Sequence, residues 1–113
     1  MLPPTDVYSI VVNNKDEFPI MVTVLYKGAD GKEESKQKDI ESNESAKFEE
    51  IEYDAGSSKA VMAVFRVNIT SAGPSNALHN HEAPFNVSSP TKGYVFDIST
   101  GEGGKLGIEH HSP

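Results

Sequence analysis

Hydrophobic and polar residues alternate along much of this chain, most regularly over residues 59–70. Counted by twos, Val61, Ala63, Phe65, Val67 and Ile69 share one side, while Arg66, Asn68 and Thr70 end the other. Such alternation, rich in β-branched and aromatic residues, is the pattern of a strand lying on a hydrophobic core. Ala60, Met62 and Val64 oppose Val61, Ala63 and Phe65 in its first half, so that end is expected to be covered on both faces.

The same period predicts the other elements. Residues 7–13 form a first strand with Tyr8, Ile10 and Val12 on one face, stopped by the polar cluster 13–17. Residues 19–27 form a second, with Ile20, Val22, Val24 and Tyr26 on one face and Met21 and Leu25 beside Thr23 on the other, which predicts a central position. The turn Gly28-Ala29-Asp30-Gly31 supplies the positive-φ residues of a tight hairpin, so the next strand should run antiparallel. That strand, 32–40, is almost wholly polar and suits a charged edge, with a disordered arm as the competing reading.

Residues 41–45 are a second turn. Over 46–54 the phase slips at Glu49-Glu50, as a β-bulge would make it do. The pattern vanishes over 71–83, a patternless stretch of the kind that is often functional. Short strands are predicted at 84–88 (Phe85, Val87 inward), 92–99 (Tyr94, Phe96, Ile98) and 105–110 (Leu106, Ile108), the last two separated by the turn 100–104. Seven to eight short strands with no helical period predict an all-β chain, a single antiparallel β-sandwich over 1–113 with frayed ends at 1–6 and 111–113, or alternatively a small barrel.

Charge narrows the partners. Ten Lys and Arg residues face 17 Asp and Glu, for a net charge of −7, and the lysines are interleaved with acids, as in 32–39. Nucleic acid and anionic membranes are therefore poor partners. No apolar run approaches the length of a membrane span, so membrane insertion is not expected. Cysteine is absent, which removes disulfides, thiolate nucleophiles and Cys-based metal sites. Residues 1–6 carry no signal-peptide pattern, which favours a cytoplasmic protein or a mature secreted domain.

The candidate chemistry is sparse. Four histidines fall in two groups, His79-Asn80-His81-Glu82 and His110-His111. Side chains at i and i+2 of an extended chain share a face, so His79 and His81 can reach one zinc or copper ion, with His110, His111, Glu82 or Asp97 to complete it. The competing reading is two surface loops that happen to contain histidine. The acidic run 49–54 lacks the spacing of a calcium loop and reads as a solvated strand face. Gly101–Lys105 lacks the first glycine and the final Ser or Thr of a phosphate loop, and no nucleophile elbow is present. Asn43, Asn68 and Asn86 each begin an Asn-x-Ser/Thr acceptor, with the last two placed at strand ends, and would carry glycans if the chain is secreted.

The leading expectation is a non-enzymatic recognition or adhesion module. It would bind a protein or a carbohydrate through the loop 71–83, where Asn76, His79, Asn80, His81 and Glu82 are the candidate contacts, aided by the turn 100–104. The absence of Trp lowers the carbohydrate version, since no stacking platform is evident. A zinc or copper protein using His79 and His81 with a C-terminal His is the second reading; otherwise no cofactor is expected. A small hydrolase is the third, and requires a concave pocket with a His bonded to a carboxylate or hydroxyl.

Overall fold

The chain folds as an all-β sandwich, seen in a computed structural model that describes residues 7–72, 78–82, 85, 91–100 and 106–113. Ten strands are present among them: β1 Ile10–Lys15, β2 Ile20–Lys27, β3 Glu33–Ile40, β4 Ser45–Phe48, β5 Glu52–Ala55, β6 Ser58–Val61, β7 Ala63–Ser71, β8 His79–Glu82, β9 Tyr94–Thr100 and β10 Leu106–His111. They form one sheet in the order β10-β9-β1-β4, a second in the order β3-β2-β7-β8, and a separate β5-β6 hairpin. All neighbours within the sheets run antiparallel except β1 and β9, which lie parallel from Ile10↔Tyr94 to Lys15↔Ser99. The sheets do not close into a barrel.

The core lies between the sheets. Ile10, Val12, Tyr94, Phe96, Ile98 and Phe48 come from one sheet, and Ile20, Val22, Val24, Tyr26, Val64, Val67 and Ile69 from the other. Full burial of such side chains is worth about 1.5–3 kcal/mol each, which is the main driving force for stacking the layers. The strand β2 is central, as its two-sided apolar pattern predicts, and β3 is an ordered edge. Met21 nevertheless points to solvent, 39% exposed.

Three expectations are corrected. First, the stretch 59–70 is two strands: β6 pairs with β5, and β7 belongs to the second sheet. Within β7 an extra residue, Phe65, sits where Tyr26 pairs with Val64 and Leu25 with Arg66. This bulge shifts the inward phase from Met62 and Val64 to Val67 and Ile69, while Val61, Ala63 and Phe65 on the other face of the first half are half-buried. Second, the slip at Glu49-Glu50 is not a bulge but the crossing from β4 to the β5-β6 hairpin. Third, the patternless stretch contains β8, and His111 is the last residue of β10 rather than part of a frayed end. Residues 1–6 and most of the 84–88 strand candidate lie outside the described residues.

The two flanks of the sandwich are sealed by different chemistry. On the β3–β4 flank, Lys36 Nζ donates to the Glu49 carbonyl just beyond β4 at 3.3 Å and Lys38 Nζ donates to the Lys47 carbonyl in β4. Their alkyl stems carry the ammonium groups over the Tyr26 and Phe48 rings, 5.9 and 5.3 Å from the centroids. The Tyr26 hydroxyl donates to the same Glu49 carbonyl at 2.9 Å; burial first, and the Glu49 charge second, push its pKa up to about 12. The opposite flank, between β8 and β10, is closed by histidine and phenylalanine rings.

The hairpin turn between β2 and β3 forms as predicted. Gly28 N–H donates to the Lys32 carbonyl at 2.8 Å, and Asp30 Oδ1 accepts from Lys32 N–H at 3.0 Å. Gly31 sits at φ +88° with no atom within 4 Å of where a Cβ would be. Gly31→Ala therefore reports backbone strain alone, and should lower unfolding free energy by about 1–2 kcal/mol in a urea titration without changing its slope.

Candidate functional site

The loop-bearing end of the sandwich is built on β1, whose inward phase continues past the apolar residues. Ile10, Val12, Asn14 and Asp16 alternate inward and are all buried, Asn14 at 1% and Asp16 at 3% exposure. The Asn14 amide donates to the carbonyls of Phe18 (3.0 Å) and Ile40 (2.9 Å), and its oxygen accepts from Asp16 N–H at 3.0 Å. The Asp16 carboxylate accepts from the Thr100 hydroxyl on one oxygen and from the Ser71 hydroxyl, at 3.1 Å, on the other. The Ser42 hydroxyl donates to the Asp16 carbonyl at 2.5 Å.

These partners are the roots of four connections. Phe18 lies between β1 and β2, Ser42 between β3 and β4, Ser71 ends β7, and Thr100 ends β9. Backbone bonds add to them: Asn43 N–H to the Asn14 carbonyl at 2.7 Å, and Ala72 N–H to the Pro19 carbonyl at 2.9 Å. Beside this node, Pro19, Ile20, Met21, Glu41, Thr70 and Ala72 line a groove of about 360 Å³. Phe18, 37% exposed, and Met21 leave apolar surface at the same end. Reading residues 13–17 as a turn hid this node; the unbroken i, i+2 phase from Ile10 to Asp16 is the signal that would have shown it.

The histidines separate by strand alternation. On β8, His79 and His81 are half-buried and face the core side, whereas Asn80 and Glu82 are exposed; Glu82 pairs with Arg66 at 3.0 Å. On β10, His110 turns inward and His111 outward. The His110 ring lies 5.7 Å from that of His81, so one member of each group meets across the two sheets. His110 Nδ1 contacts the Tyr94 hydroxyl at 2.5 Å. The expected four-histidine set is not assembled, because His111 lies on the far side of its sheet. Among the described residues no group of three or more His, Asp or Glu side chains is placed to hold a metal ion.

On that outer face a hydrogen-bonded row crosses all four strands. The Ser45 hydroxyl donates to Asn13 Oδ1 at 2.6 Å, Asn13 Nδ2 donates to Asp97 Oδ1 at 2.8 Å, and His111 Nε2 meets Asp97 Oδ2 at 3.0 Å. His111 Nδ1 contacts the Ser112 carbonyl at 2.8 Å, so both ring nitrogens are engaged. The Asn13 amide, and then His111, hold Asp97 below the ordinary carboxylate range. The Ser112 carbonyl, and then Asp97, raise His111 above the usual imidazole value. Grooves of about 300, 360, 330 and 420 Å³ among the described residues have no histidine in their walls.

The remaining candidates are scattered. Asn43 is exposed in the β3–β4 turn at φ +65°. Asn68 lies not at a strand end but within β7, paired to Thr23 on one side and Asn80 on the other. Asn76 and Asn86, like the turn 101–105, lie outside the described residues. In the acidic run, the exposed Asp54 pairs with Lys59 at 3.5 Å, whereas the half-buried Glu50 pairs with Lys92 at 3.1 Å.

No protein-family model and no curated protein matches this chain. Among solved structures, the chain is similar to one described as the NMR structure of the protein from Eubacterium rectale, with a TM-score of 0.52 and 16% identity over 94% of this chain and 89% of the other. At that identity the likeness is one of fold. Among the described residues no helix is long and apolar enough to cross a membrane.

The raised His111 carries a pH dependence of definite sign. A group whose pKa is higher folded than unfolded adds stability below about 6.5, and that stability is lost as pH rises through the folded value. A proton NMR titration should find His111 above the ordinary imidazole value, and falling toward it in Asp97→Asn. An unchanged midpoint in that variant would show that Asp97 contributes nothing to it.

Proposed function

We propose that this chain is a non-enzymatic recognition module that binds a protein partner through the end of the sandwich organised by Asp16. The observation that carries the reading is the convergence of four loop roots on the buried Asn14–Asp16 pair. A binding surface made of loops loses less entropy on association when its roots are fixed, and rigid sandwiches commonly present recognition loops in this way. The apolar exposure of Phe18 and Met21 beside the groove at Pro19 and Ala72 favours a protein over a carbohydrate. A net charge of −7 with a single Arg argues against nucleic acid.

A photo-reactive amino acid placed at Phe18 or Met21 tests the reading in lysate and in cells of the source. Specific protein adducts should form at these positions and be absent when the same group replaces Lys59, in the β5-β6 hairpin. Adding Asp16→Ala to the Phe18 variant should weaken capture at least several-fold while circular dichroism still reports a folded sheet. Equal capture at Phe18 and Lys59, or capture by neither loop-end position, would contradict it.

A further inference from the structure

Among the described residues, the flank between β8 and β10 is sealed by aromatic and imidazole rings and not by a lysine. The His81 ring stands 5.6 Å from Phe96 at 70° and 5.7 Å from His110 at 69°, and Phe85 stands 6.4 Å from His110. His110 in turn lies 5.3 Å from Phe96. The Nε2 atoms of both His79 and His81 are buried without a hydrogen-bond partner, an uncommon state for a polar atom. Around His81, β8 itself contributes His79, β10 contributes His110, β9 contributes Phe96 with the Tyr94 hydroxyl behind His110, and β7 contributes the apolar Val67 and Ile69. The acid on β8, Glu82, is exposed and bound to Arg66, and no carboxylate answers the imidazoles from within the flank among the described residues.

We infer that the β8–β10 flank is an acid-opened latch, in which protonation of His81 parts the two edge strands while the remaining strands stay folded. An imidazolium carries two N–H donors and needs an acceptor for each. His110 has a partner that can adapt, because the Tyr94 hydroxyl can turn from donor to acceptor. His81 has none at Nε2, so a proton there leaves a buried charged donor unmatched. Burial first, and then the facing His110 and His79, hold His81 below the ordinary imidazole range. The closed flank is therefore favoured fully above about 6.5 and loses that advantage as pH falls below it. Both strands are edges: β8 pairs only with β7, and β10 only with β9, among the described residues, so parting them leaves the central pairs β2–β7 and β1–β9 intact.

Native-state hydrogen exchange of the full chain between about pH 7.5 and pH 5 tests the latch, with protection corrected for the intrinsic pH dependence of exchange. Each imidazole that is neutral when closed and protonated when open raises the opening constant about tenfold per pH unit. Amides of β8 and β10 should thus lose protection by about one decade per unit below about pH 6.5, while Val22 and Val24 of β2 keep theirs. His81→Phe, which retains the ring contact with Phe96, should flatten the dependence. If His81→Phe does not fold, the His81 ring resonance followed by NMR in the unmodified chain gives an independent reading. Loss of protection in parallel across β2, β8 and β10, a dependence that persists in the phenylalanine variant, or a His81 ring titrating at or above about 6.5 would overturn the proposal.

Discussion

A carboxylate removed from water costs several kcal/mol unless hydrogen bonds replace the solvent it loses, and Asp16 meets that condition with hydroxyls from two strands that are distant in sequence. Its position makes the condition architectural. β1 belongs to one sheet and Ser71 to the other, so the bonds to Asp16 join the layers at the same end where Asn14 joins Phe18 to Ile40. Apolar burial drives the two sheets together, but it is non-directional; the buried amide and carboxylate select one alignment of the strand ends. A slip of one residue in β1 would carry Asn14 and Asp16 to the outer face and bring Asn13 and Lys15 inward, without partners.

The rest of the structure follows from closing a core that has two flanks and no covalent staple. On the β3–β4 flank, lysines provide permanent donors for edge carbonyls and stems for the rings beneath. On the β8–β10 flank, imidazole and phenylalanine rings provide the covering area. The first seal uses lysine donors for backbone carbonyls, whereas the second holds His81 with no hydrogen-bond partner at Nε2. The outer row from Ser45 through Asn13 and Asp97 to His111 ties β4, β1, β9 and β10 together on the solvent side, where the bonds define register more than they add free energy.

Much of this fold was legible in the sequence, because period two survives wherever one face of a strand is buried. Ile20 through Tyr26 read correctly as a central strand, Gly28 to Gly31 as a hairpin turn, and the polar stretch after it as an edge. The phase through Val64 and Val67 was not legible, since Phe65 and Arg66 are apolar and polar in the order an unbroken strand would also show. The strand β8 escaped because His79 and His81 serve there as apolar rings, a role that composition does not reveal. Asn14 and Asp16 were mistaken for a turn because buried polar residues follow pairing and not hydropathy. The pairing of His110 with His81 needed the sheet order, which places β8 and β10 on the same flank.

The central claim is that one buried carboxylate couples the ends of β7 and β9. A double-mutant cycle of Ser71→Ala with Thr100→Val, read by urea denaturation, measures that coupling directly. If both hydroxyls serve Asp16, the first loss leaves the carboxylate under-solvated and makes the second more costly, so the interaction energy should reach about 1 kcal/mol or more. Losses that add to within about 0.5 kcal/mol would mean that the two strand ends are held independently, and that Asp16 does not organise this end of the molecule.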